Sequence, residues 1–188
     1  LEGSKTGDIM VGQADNVILT GGINYNYAQI GHGGDDNLSV LGGNGNATGS
    51  IEVNATAGQV SLSGGANYSY AQIGHGGEKN DGDFSGALTV KASSNVILNG
   101  GTGTDTYAQI GHGGSSTTAA ISNADITVDA TGMIDLNGGS TTFAYAQIGH
   151  GGANTSATTL ATSNILINSA LGSGTGDITL DGNGSNAY

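Results

Sequence analysis

The chain of 188 residues has no cysteine, no proline and no tryptophan, and its only three basic residues are the lysines Lys5, Lys79 and Lys91. Without cysteine there can be no disulfide, no zinc–thiolate site and no thiol nucleophile. The missing proline, and glycines that follow no three-residue period, exclude a collagen triple helix. Charged residues make up only 10% of the chain, well below the proportion of a charge-driven disordered tail. Three cations against fifteen carboxylates leave a net charge of −12, which repels polyanions and excludes nucleic acid as a partner. No apolar run approaches the roughly 18 residues of a membrane-spanning helix, so no membrane insertion is expected.

What the chain does contain is glycine, 37 residues of it, together with abundant Ile, Val, Leu, Thr and Asn. The small side chains suit a narrow core, and the β-branched ones favour extended backbone over helix. With no charged-then-apolar stretch ahead of the periodic region, the chain is expected to be a mature or excised piece of something longer.

The octapeptide YAQIGHGG occurs four times unchanged, at 27–34, 70–77, 107–114 and 145–152, with its histidines 43, 37 and 38 residues apart. Each octamer is preceded by two short alternating segments joined by a polar linker, as in IMVGQADNVILTGG from Ile9 and ITVDATGMIDLNGG from Ile126. Apolar residues at every second position give each segment one inward and one outward face. Such a unit cannot bury its apolar face alone and must stack on its neighbours. The fold expected for residues 1–188 is a single parallel β-solenoid with repeats of about 38 residues. The small apolar knots between repeats, such as Leu38 with Val40 and Phe84, read as an additional strand. That reading gives two coils per repeat and a rod on the order of 45 Å; with the knot as a loop, each repeat is one large coil and the rod about half as long. Leu1 is not a methionine, and Tyr188 falls where a fifth octamer would begin, so the chain is expected to be a fragment of a longer array.

The GxITVxA…IxLxGG cadence, rich in glycine and nearly free of Lys and Arg, resembles the repeats of filamentous haemagglutinin-like adhesins, bacterial exoproteins exported by two-partner secretion or as autotransporters. The resemblance implies a right-handed β-helix, a coil near 20 residues, a secreted or cell-surface location and a role in adhesion. The unchanged octamer is more regular than the repeats of that group.

Within the octamer, period 2 sends Ala28 and Ile30 inward and Tyr27 and Gln29 outward. Tyr27, Gln29, Tyr70, Gln72, Tyr107, Gln109, Tyr145 and Gln147 therefore read as stacked columns that cover the outside of the strand and knit coils together or, alternatively, as the candidate binding residues of an outward stripe for a host glycan or cell surface. His32, His75, His112 and His150 form a candidate column, structural at a glycine corner or, alternatively, metal-binding. No acidic residue recurs at a fixed offset from them, so no metal or other cofactor is assigned. Calcium-repeat resemblance in Gly33–Asn46 is loose, and that segment reads as a surface loop. Paired carboxylates or a basic catalytic cluster are also missing, so no catalytic residue is assigned and a non-enzymatic role is expected. The leading expectation is an extracellular structural shaft or fibre-forming segment, with end-to-end self-association into filaments as its form of assembly.

Overall fold

The computed structural model describes residues 3–35, 45–156, 159–160, 163–169 and 176–182. The knot at Leu38 and Val40, most of Gly33–Asn46 and Tyr188 lie outside them. Among the described residues every regular element is a β-strand. The first coil holds β1 (Lys5–Thr6), β2 (Ile9–Ala14), β3 (Val17–Thr20) and β4 (Ala28–Ile30). The second holds β5 (Ala47–Thr48), β6 (Ile51–Ala55), β7 (Val60–Ser63) and β8 (Tyr70–Ile73). The third holds β9 (Phe84–Ser85), β10 (Leu88–Ala92), β11 (Val96–Asn99) and β12 (Tyr107–Ile110). The fourth holds β13 (Ala120–Ser122), β14 (Ile126–Ala130), β15 (Ile134–Asn137) and β16 (Tyr145–Ile148), followed by β17 (Thr159–Leu160), β18 (Ile165–Asn168) and β19 (Ile178–Asp181).

Among the described residues, equivalent strands of successive coils pair in parallel and build four sheets, three of five strands and one of four. The expected parallel β-solenoid with repeats near 38 residues is thus the fold. One expectation is corrected: each repeat is a single coil, not two. Leu88 pairs directly with Ile51 below and Ile126 above, and Tyr107 pairs with Tyr70 and Tyr145. The apolar knot does form a strand, but one of only two or three residues, and it makes the fourth side of the same coil. The physical reason lies in the identical octamers. Their side chains gain most when like residues sit one strand spacing apart, and a second coil would insert other residues between them.

The central core follows from the alternation. Val53, Val90 and Val128 stack along one wall, Leu62, Leu98 and Leu136 along a second, and Ile73 and Ile110 along a third. Phe84 and Ile121 fill a smaller cluster with Ala47, Ala119 and Ala124. At the corners, side-chain oxygens bridge neighbouring coils. Asp8 accepts from the Ser50 amide and Asn16 from that of Gln59, as Asn95 does from Met133 and Asp125 from Asn164. The corner amides, which lie outside the ladders, are satisfied in this way.

Candidate functional site: the octamer ladders

Strands β4, β8, β12 and β16 carry the octamers, and their two faces have different fates. Ala71, Ile73, Ala108 and Ile110 point into the central core as expected. The opposite face is covered. Beyond GHGG the chain returns across it, so that Gly77, Glu78 and Asn80 in one coil, and Gly114, Ser115 and Thr117 in the next, are buried. Tyr70, Gln72, Tyr107 and Gln109 are fully buried beneath that strap, and Tyr145 nearly so. Gln29 and Gln147 are half-buried, and only Tyr27, at 45% exposure, faces solvent. The outward Tyr/Gln stripe is therefore corrected. Tyr27 apart, these side chains point away from the central core, but into a second compartment and not to a ligand-accessible surface.

Three ladders run along this compartment. The tyrosine rings stack nearly parallel, with centroids 4.9, 4.6 and 5.0 Å apart from Tyr27 to Tyr145. An inner ring thus has both faces against other tyrosines, leaving no face for a sugar ring. The hydroxyls of Tyr70, Tyr107 and Tyr145 are buried, and burial holds all three phenols well above their ordinary pKa, opposed by the main chain of Glu78, Ser115 and Ala153 in the strap.

The glutamine ladder bonds to the main chain of the coil above. Gln29 Nε2 donates to the carbonyls of Gly74 and Gly76, both at 2.9 Å, and Gln72 Nε2 to those of Gly111 and Gly113 at 2.9 and 2.8 Å. Gln109 repeats the pattern on Gly149 and Gly151. The Oε1 atoms of Gln72 and Gln109 are buried without a partner, so the amides are held by their nitrogens alone.

The histidine ladder uses both ring nitrogens. The main-chain amides of His32, His75 and His112 donate to Nδ1 of His75, His112 and His150 at 3.1, 2.9 and 3.1 Å. An amide can only donate, so Nδ1 carries the lone pair and the ring proton sits on Nε2. Nε2 then donates to a carbonyl at the corner between the first and second strands of the coil. His75 reaches Gly49 at 2.9 Å, His112 reaches Gly86 at 2.8 Å and His150 reaches Ala124 at 2.7 Å. The rings stack at 4.8 to 5.2 Å. Burial is the main force holding the His75, His112 and His150 imidazoles below their ordinary pKa, His112 at about 3, with the corner carbonyls opposing it. No lone pair on these three rings is free for a metal ion. Among the described residues no three His, Asp or Glu side chains are grouped to hold one.

The glycines make this packing possible. A Cβ on Gly111 would lie 1.8 Å from the carbonyl oxygen of Gly149 in the next coil. Gly113, at φ +94, lies in the left-handed region that glycine enters without penalty.

Sequence reasoning missed two features of this region. The residue two before each octamer tyrosine is left-handed in every coil, although it is Tyr25, Tyr68, Asp105 or Phe143 and never glycine. The signal was positional, a constant offset masked by varied residue types. The second is Glu78, buried in the strap with Oε1 3.3 Å from Lys79 Nζ and Oε2 unpartnered. Burial, with the Asp35 charge adding to it, pushes its carboxyl up to about 7.

The fold and ladders define a class, a single-coil-per-repeat parallel β-solenoid whose repeated motif is consumed by contacts between coils. No family model, no curated protein and no solved structure matches the chain.

Proposed function

We propose that this chain is a non-enzymatic structural shaft segment of a bacterial extracellular surface protein, in which stiffness along the solenoid axis is the useful property. The observation that carries the reading is the fate of the octamer. Its tyrosine, glutamine, histidine and glycines repeat the same contact at every coil, and those contacts join coil to coil. A shaft needs one geometry repeated at every level, whereas a catalytic centre needs one constellation unlike its surroundings. The extracellular and bacterial placement rests on the haemagglutinin-like cadence of the repeats. End-to-end assembly into filaments belongs to the same proposal.

Inserting one, two and three further 38-residue units and measuring rod length by small-angle scattering and electron microscopy tests the reading. The length should grow by about 4.8 Å per unit with an unchanged cross-section. Chains that collapse into compact particles, or that bend freely between repeats, would refute it.

A further inference from the structure

Tyr25 and Tyr68 stand outside the octamer ladder, each at a left-handed position in the turn that leads into an octamer strand, at φ +51 and +55. Their amides make the same bond to the next coil, Tyr25 donating to the Asn67 carbonyl at 3.2 Å and Tyr68 to that of Thr104 at 2.9 Å. Alike in backbone, the two side chains differ by one step along the axis, and their rings stack with centroids 4.9 Å apart and planes 4° apart. Each ring carbon beside a hydroxyl thus faces its counterpart across the stack. The column holds no third tyrosine in the coils above, where Asp105 and Phe143 take the position. Lys79 Nζ lies 5.7 Å from the Tyr68 ring centroid. Tyr25 is 49% exposed and Tyr68 half-buried. Tyr68 has a coil on either side and keeps that exposure, so access comes from the turn itself and not from the place of Tyr25 in the first coil.

We infer that Tyr25 and Tyr68 form an oxidative modification site, at which hydrogen peroxide and a peroxidase join the two rings by a carbon–carbon bond and staple the first coil to the second. Each phenol gives up one electron and its hydroxyl proton, which leaves two phenoxyl radicals. The radicals pair through the ring carbons ortho to oxygen, and the hydrogens on those two carbons move to the oxygens and restore both hydroxyls. The peroxide takes up the two electrons and two protons and leaves as two waters. Rings already held face to face couple within one molecule, which favours this pair over encounters between chains. The octamer tyrosines stack as closely but are excluded. Tyr70, Tyr107 and Tyr145 are buried, and that burial opposes loss of their phenolic protons. Their hydroxyls lie against Gly77, Gly114 and Gly152 of the strap, so the rings have no room to tilt toward a shared bond. Tyr27 stacks only on the buried Tyr70. In a chain without cysteine this link ties coil to coil covalently, as a disulfide does elsewhere.

The test treats the 188-residue chain with hydrogen peroxide and a peroxidase at low protein concentration, cleaves it after glutamate and weighs the peptides. The expected product joins the peptide of residues 3–52 to that of residues 53–78, two hydrogen atoms lighter than their sum and with dityrosine fluorescence. It should be lost in Tyr25→Phe and in Tyr68→Phe, which keep the stacked rings, and retained in Tyr27→Phe. Absence of the linked pair, its survival in Tyr25→Phe or Tyr68→Phe, its loss in Tyr27→Phe, or coupling between chains in place of coupling within one would overturn the inference. Each of those failures would leave the shaft reading untouched, because that reading rests on the octamer contacts.

Discussion

The main-chain amide of His75 donates to Nδ1 of His112 at 2.9 Å, which makes the imidazole of one coil the acceptor for the backbone of the coil beneath. A side chain thereby takes the place of a carbonyl in the ladder between coils. The substitution works only while the imidazole is neutral, since protonation at Nδ1 replaces the lone pair with a second donor. This seam is where the molecule is most sensitive to its surroundings.

Acidification should loosen it. A histidine whose folded pKa is depressed binds its proton more readily in the unfolded chain, so its stabilising contribution is complete above about pH 6.5 and declines as pH falls. Each of His75, His112 and His150 adds a slope of up to about 1.4 kcal/mol per pH unit below 6.5, reaching down to about pH 3 for His112. Glu78 opposes them. Its raised value means that stability falls with rising pH between its ordinary value of 4.5 and about 7. Asp105, also raised by burial, adds to Glu78, but three imidazoles, one of them held at about 3, outweigh two carboxyls, so denaturant titrations at pH 7.0, 5.5 and 4.0 should show a net loss on acidification. His112→Gln should reduce the slope whatever it does to stability at pH 7. An unchanged slope would contradict the neutral ladder.

Tyr107 and Tyr27 occupy equivalent positions in different surroundings. Tyr107→Ala removes a fully buried ring and should cost about 3–5 kcal/mol, whereas Tyr27→Ala, at a ring 45% exposed, should cost much less. Tyr107→Phe keeps the stacked ring and deletes only the hydroxyl beside the Ser115 main chain, so it should cost no more than about 1.5 kcal/mol, far less than the alanine variant. A loss in the phenylalanine variant as large as in the alanine variant would contradict the stacked ring as the main contribution.

Gln109→Glu would turn a carboxylate toward the carbonyls of Gly149 and Gly151, replacing a donor by an acceptor. Two buried carbonyls lose their donor, at about 1–3 kcal/mol each, and the new charge is itself buried. The expected outcome at pH 7 is a chain unfolded or melting far below the parent, with partial recovery near pH 4 as the carboxyl protonates. Thermal melts followed by circular dichroism read both effects.

Glycine substitutions should separate by position. Gly111→Ala places a methyl group 1.8 Å from a rigid main-chain carbonyl and should abolish the cooperative unfolding transition. Gly3→Ala, where nothing lies within 4 Å, should change stability by less than about 0.5 kcal/mol. Equal effects at the two sites would mean that the coils are not in the register described.

The period of about 38 residues, the all-strand character and the inward set of each strand were legible in the residues themselves. Alternation states which side chains share a face, and four identical octamers state that equivalent positions share an environment. From Ile126 and Val128 to Ile134 and Leu136, the core residues could be named from spacing alone. Period 2 assigns Tyr107 and Gln109 to the face opposite Ala108 and Ile110, but it carries no information about what lies over that face. The strap that buries them turns at left-handed Lys79, Ser116 and Asn154, of which only the asparagine favours that region by itself; the other two are held there by their place in the stack. The number of coils per repeat was likewise a tertiary decision. Strands of suitable length allow either winding, and only the gain from bringing like side chains within 5 Å of one another selects the single coil.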